Sequence, residues 1–156
     1  MTGVLSALVL RGATIRQVVS GDAGCPGSSL HSNAARIDLT LHAGADHSVY
    51  LFRWRRPADF GAAADAFADC AAQHVAQSPA AAADVVEVPP WRAYGTGWTR
   101  ELNTILHEVL RTATNTASPL ELTAPLQAGS NEVRYTTDRA DGHGRTFASI
   151  PITVEP

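Results

Sequence analysis

The sequence contains no lysine; all twelve of its basic residues are arginine. Cysteine occurs twice and methionine once, and the aromatic set is three Trp, three Tyr and four Phe in 156 residues. Two cysteines exclude a cysteine-dense secreted scaffold. No apolar run is long enough to span a bilayer, so no membrane span is expected. Sustained heptads are lacking, which excludes a coiled-coil rod. Charge of one sign is lacking too: fifteen acidic residues against twelve basic leave a formal −3, with no polybasic tail. So weak a field draws in neither nucleic acid nor an anionic membrane, and neither is expected as a partner.

Large apolar side chains are scarcer than the 45% hydrophobic fraction implies, because 27 of the residues counted are Ala. Burying Ala yields little transfer free energy, so the core must rest on a few large side chains. Abundant Ala with Arg as the sole base reads as a base-composition bias of a bacterial source. The length suits one ordinary domain, or one domain with a small appendage.

The apolar stretch Met1–Leu10 has no basic residue before it and is interrupted early by Arg11. That is not the layout of a secretory signal, and Val4–Leu10 is expected as a strand or packed arm. Thr14–Ser20 reads as a further strand, and Ser20–Ser29 as a loop dense in Gly, Ser, Asp and Pro. Ala35–His42 alternates, with Ile37, Leu39 and Leu41 on one side and Arg36, Asp38 and Thr40 on the other. Ser48–Trp54 alternates as well, and Ala43–Asp46 joins the two as a β-hairpin. Pro57 and Asp59 open a helix that presents Phe60, Ala64, Phe67 and Ala71 on one face and stops at Ser78-Pro79. Ala80–Ala83 is low-complexity, a fraying helix end or a linker. Asp84–Val88 reads as a short strand closed by Pro89-Pro90, and Trp91–Trp98 as an aromatic loop. Thr99 caps a second helix whose apolar face is Leu102, Ile105, Leu106, Val109 and Leu110. A segment boundary is expected over Asn115–Pro119.

The last forty residues return to strand chemistry, with Asn131–Thr137 and Thr146–Val154 flanking a turn-rich tip. Gly129-Ser130-Asn131-Glu132-Val133 followed by Asp141-Gly142 resembles the final hairpin of bacterial immunoglobulin-like modules, without the Cys…Trp…Cys framework of antibody-type domains. The expected fold class is α+β: an antiparallel sheet with two helices packed on one face and a C-terminal β-hairpin. Residues 1–114 would form the α+β domain and 115–156 the hairpin extension.

Among groups that carry chemistry, Cys25 and Cys70 are a candidate disulfide. On the chain-entropy model such a bridge contributes about 4 kcal/mol. It would place the chain in an oxidising, extracytoplasmic compartment. The alternative is a free Cys70, four residues before His74 on one helix, as a thiolate–imidazole pair. His42 and His47 flank the first hairpin with Asp46, and Asp141 and His143 share the second tip. Neither set has metal-ligand spacing, and both read as loop surface. Gly95-Thr96-Gly97 lacks the rest of a phosphate loop or dinucleotide fingerprint, so no cofactor and no metal are expected.

The remaining feature is clustering. All three Trp and two of three Tyr lie between residues 50 and 98, interleaved with arginines. Tyr50, Arg53, Trp54, Trp91, Arg92, Tyr94 and Trp98 are the candidate ligand-binding set, with rings for contact area and guanidinium groups to orient an anion or carbonyl. The competing reading makes the rings core bulk that Ala cannot supply. The expected function is a small soluble binding or interaction module for a protein or small-molecule ligand. Two alternatives stand beside it: an accessory module of a secreted or envelope protein, and a hydrolase-type enzyme using Glu101, His107 and Glu108.

Overall fold

A computed structural model describes residues 1–41, 44, 46–78, 82–115, 129–138 and 145–154. The chain divides into two units, Met1–Ala117 and Ser118–Pro156. The expected Ala43–Asp46 connection, the Ser78-Pro79 stop, the Ala80–Ala83 run, the boundary after Asn115 and the second hairpin tip lie wholly or partly outside the described residues.

The first unit is α+β. It opens with helix α1 (Thr2–Leu10), followed by strands β1 (Ala13–Ser20), β2 (Ala34–Leu41) and β3 (Asp46–Arg53). Helices α2 (Pro57–Ala62) and α3 (Ala64–Ala76) come next, then β4 (Asp84–Val88), β5 (Trp91–Gly95) and helix α4 (Arg100–Asn115). The five strands form one antiparallel sheet in the order β1-β2-β3-β5-β4. In the second unit, β6 (Gly129–Asp138) pairs antiparallel with β7 (Arg145–Val154).

The strand alternation gives the five-stranded sheet two working faces. Ile37, Leu39, Leu41, Val49 and Leu51 point to one side, where α1 supplies Val4, Leu5 and Leu8, and α4 supplies Leu102, Ile105, Leu106, Val109 and Leu110. Tyr50, Phe52, Trp54 and Tyr94 point to the other, against Phe67, Cys70 and Ala71 of α3 and the loop residues Ala23, Cys25 and Leu30. Helices therefore cover both faces, which corrects the expectation of two helices on one face. The Thr99 cap is present, its hydroxyl accepting from the Leu102 N–H at 3.1 Å. Among the described residues no helix is long and apolar enough to cross a membrane.

Three further expectations are revised. Val4–Leu10 is helical rather than extended, because Val4, Leu5 and Leu8 meet the core at i, i+1 and i+4 spacing and most of the segment is Leu and Ala, good helix formers. Gly12, at φ 89°, then turns the chain into β1. The helix expected from Pro57 onward is broken at Ala63, just after Gly61, the poorest helix former of its interior. Trp91–Gly95 is a buried interior strand between β3 and β4, not a loop. Its strand signal is only five residues long, and pairing on both sides overrides the turn-prone glycines that follow.

Two glycine substitutions test this packing. A Cβ at Gly95 would run into the Trp98 indole and come within 2.5 Å of the Ser48 carbonyl oxygen, whereas one at Gly61 meets nothing within 4 Å. Gly95→Ala should lower stability by about 1–3 kcal/mol, the usual range for overpacking. Gly61→Ala should raise it by about 0.5–1 kcal/mol. Urea midpoints moving in those opposite directions are the expected result; equal midpoints would contradict the packing.

Candidate functional site

The seven aromatic and arginine residues do not share one surface. Trp54, Tyr50 and Tyr94 belong to the α3 side of the sheet, and Trp91 and Trp98 to the α1/α4 side. All five rings are buried. On the α3 side, Trp54, Phe52, Tyr94 and Tyr50 stack in sequence with centroids 6.0, 5.6 and 5.1 Å apart, and His74 closes on Tyr50 at 4.7 Å. Burial of that area is core packing, as the competing reading has it. Arg92 is buried as well. Its guanidinium lies 4.0 Å over Phe60, 5.4 Å from Phe67 and 5.5 Å from Trp54. One Nη donates to the Phe60 carbonyl at 3.0 Å, and Glu87 stands 3.4 Å from Nε. Arg53 is exposed, 5.0 Å above the Trp91 ring.

What lies open is the other half of the α3-side face. Beyond the aromatic stack, the sheet forms a trough of about 520 Å3, lined chiefly by Arg16, Gln17, Arg36, Asp38, Ser48 and Tyr50, with Asp46 at its end. The register of β2 on β3 builds its floor from three successive rungs: Arg36 opposite Tyr50, Asp38 opposite Ser48, and Thr40 opposite Asp46. Residues two apart on a strand share a face, so these pairs follow one another at about 6.6 Å. On β1 the register slips between Ile15 and Gln17, which leaves Arg16 as an extra residue. Such a bulge re-aims side chains, and here it brings two consecutive residues, Arg16 and Gln17, to the same trough.

The polar groups are joined into a network. Asp38 accepts from Ser48 Oγ at 2.7 Å and from Arg36 Nε at 3.2 Å. A second carboxylate reaches Arg36 from the loop after β1: Asp22 accepts from its Nη1 at 2.8 Å and, through its other oxygen, from the Gly24 N–H at 2.9 Å. At the outer end Arg16 pairs with Asp46, which also accepts from Thr40 Oγ1 at 2.9 Å. The two ends differ in solvation. The Arg36, Asp22 and Asp38 side chains are 29%, 27% and 25% exposed, against 56% and 66% for Arg16 and Asp46. The outer pair is therefore the weaker and more easily exchanged.

Titration reflects the same arrangement. Burial opposes the charge on Arg36, yet the carboxylates of Asp38 and Asp22 hold its pKa above the ordinary value. Burial, with Asp22 nearby, pushes the Tyr50 phenol up, and hydrogen bonds from Arg16 and Thr40 hold the Asp46 carboxyl below its usual range. Tyr94 is also raised, by burial first and then by Tyr50 and Asp22.

The loop that carries Asp22 is fastened from below. Cys25 and Cys70 form a disulfide, with Cα atoms 5.3 Å apart. The Tyr94 hydroxyl donates to the Ala23 carbonyl, and Gly24, at φ 71°, passes so close to Tyr50 that a Cβ there would stand 2.6 Å from its ring. Only glycine fits that approach. With Cys70 oxidised there is no thiolate–imidazole pair, and the Cys70–His74 alternative is withdrawn.

The other candidates do not assemble. Glu108 pairs with Arg11 on the exposed side of α4, Glu101 and His107 are exposed, and none of the three lines the trough. His47 is buried, and it borders the trough together with its neighbour Asp46. His42, Asp141 and His143 lie outside the described residues. Among the described residues no three His, Cys, Asp or Glu side chains are grouped as a metal site. A second hollow of about 450 Å3 lies between α3 and β4, walled by Ala64, Ala68, Ala72, Val75 and Val85. It lacks the converging polar groups that orient a ligand.

Raised phenols carry a sign. Tyr50 and Tyr94 ionise later in the folded protein than in the unfolded chain, so their contribution is complete below the ordinary phenol value of 10.0 and is lost as pH rises beyond it. Urea midpoints should fall above about pH 10. Phenolate absorbance should lag that of the unfolded chain, and a superimposable titration would contradict the assignment. No family model, no curated protein and no solved structure matches this chain.

Proposed function

We propose that the chain is a binding module of an oxidising, extracytoplasmic compartment, and that the trough on the open half of the sheet is its ligand site. The observation that carries the reading is the half-buried cluster of Asp22, Arg36 and Asp38. Taking charges partly out of water costs free energy that apolar residues at the same positions would not incur. A fold relying on a few large side chains gains no core from this patch, so recognition is the better account of it. The size supports the same reading, since a trough of about 520 Å3 lies within the ordinary range for small-molecule sites.

The disulfide supports the compartment in this reading, because such bonds form and persist chiefly in oxidising environments. Of the aromatic and arginine residues singled out in the sequence, Tyr50 enters the proposed site as its end wall. Tyr94 and Trp54, together with Phe52, form the stack that holds Tyr50 in place, whereas Trp91 and Trp98 pack on the opposite face.

Two measurements test the reading. The intact mass of unreduced, denatured protein should fall about two daltons below the dithiol formula, and a full-thiol mass would remove the basis for the compartment. Thermal unfolding against a panel of polar metabolites should show stabilisation by at least one. A ligand at a hundred times its Kd adds about 2.7 kcal/mol. Arg36→Ala should abolish that gain; a variant that responds like the wild type would refute the site.

A further inference from the structure

From the order of charges along the trough we infer its ligand class: a small zwitterion of about dipeptide length, bound with its ammonium group inward at Asp38 and its carboxylate outward at Arg16. The inference rests on the reading of the trough as a binding site.

The inner end holds two carboxylates, Asp22 and Asp38, against one guanidinium, Arg36. Its formal balance is one negative charge, in a place where water screens it only partly. That end favours a cation, and a compact ammonium with three N–H donors matches acceptors already clustered there: the Asp38 oxygens and the Ser48 hydroxyl, 2.7 Å apart. An anion would meet the Asp22 and Asp38 carboxylates, and a second, bulkier guanidinium would crowd Arg36.

The outer end holds one arginine and one aspartate, both largely exposed. An ion pair in that setting contributes little, so Arg16 exchanges the Asp46 carboxylate for an incoming one at small cost. The planar guanidinium suits a carboxylate by geometry as well as by charge. The β1 bulge makes this possible, because it brings Arg16 and Gln17 together over the floor strands.

Spacing then selects the length. Arg16 meets Asp46 at the Thr40 rung, one step from the Asp38–Ser48 rung. One step is two strand residues, about 6.6 Å. An extended dipeptide separates its charged ends by about 7 Å, whereas a single amino acid holds them within one residue. The ligand thus runs along the strands, with Gln17 beside its ammonium end, opposite Asp38 on β2. No aromatic face is open over the trough, since the Tyr50 ring is stacked on Tyr94, so a sugar would lack its usual platform.

The test is a calorimetric titration of the oxidised full chain with alanyl-alanine, alanine, N-acetyl-alanyl-alanine, alanyl-alaninamide and glucose. Alanyl-alanine should bind at least tenfold more tightly than each of the others. Arg16 is exposed, so Arg16→Ala leaves the fold intact. In that variant alanyl-alanine should weaken at least tenfold and become equal to alanyl-alaninamide. Equal binding of alanine and alanyl-alanine by the wild type would overturn the length, and indifference to blocked termini would overturn the zwitterion. Glucose binding that is lost in Arg36→Ala, without dipeptide binding, would overturn the ligand class yet leave the trough a binding site. If no compound binds, and the wider panel also fails to distinguish Arg36→Ala, both inferences fall.

Discussion

The constraint on which the rest depends is the fastening of the Gly21–Leu30 loop beneath the sheet. That loop has no regular structure, and its glycines at positions 21, 24 and 27 all take positive φ. Left to itself it would sample many conformations. Three contacts remove that freedom: the Cys25–Cys70 disulfide, the hydrogen bond from Tyr94 to the Ala23 carbonyl, and the seat of Gly24 against Tyr50. Tyr94 and Tyr50 stand on neighbouring strands and stack at 5.1 Å, so the loop is fixed to the sheet through the same rings that fill the core. Once it is fixed, Asp22 has one place to go, and that place is Arg36.

The two faces of the sheet divide the work. One is covered by α1 and α4 with aliphatic side chains, joined by Trp91 and Trp98. The other is sealed only at one end, by α3, the loop and the aromatic stack, and its remaining half carries charge instead. An Ala-rich chain has few large residues to distribute, and it places Tyr50, Phe52, Trp54, Phe60, Phe67 and Tyr94 where α3 and the loop are too thin to bury the sheet alone, with Trp91 and Trp98 on the opposite face. Even the buried Arg92 serves this purpose. Its stem and guanidinium fill the space among Trp54, Phe60 and Phe67, with attraction to the ring faces offsetting part of the cost of burying the charge.

Legibility in the sequence follows the range of the signal. Strands β2 and β3 were readable because their alternation is local and clean, and α4 because Thr99 and the Leu102–Leu110 stripe are local too. Helix α1 was not, since Gly-Val-Leu-Ser-Ala-Leu-Val-Leu is apolar on every side and has no period to separate helix from strand. Strand β5 was hidden by its aromatic residues and adjacent glycines, whose meaning depends on strands far away in sequence. The candidate site was half visible. Arg36, Asp38 and Thr40 stood out as the polar side of β2, but a polar side is ordinarily just solvated. What turns it into a trough is non-local: a bulge at Arg16, a loop aspartate brought in across fourteen residues, and a disulfide that holds it. Of the aromatic cluster, the strongest compositional signal, Tyr50 lines the candidate site, Tyr94 and Trp54 belong to the stack behind it, and Trp91 and Trp98 lie on the other face.

The most direct test of the account is an amide-resolved NMR titration of the oxidised protein with alanyl-alanine. The account predicts saturable shifts concentrated at Arg16, Gln17, Asp38, Ser48 and Tyr50, with Asp22 and Gly24 following because Asp22 pairs with Arg36 and accepts from the Gly24 N–H. Shifts centred instead on the α3–β4 hollow, or spread over the arginines without saturation, would contradict it.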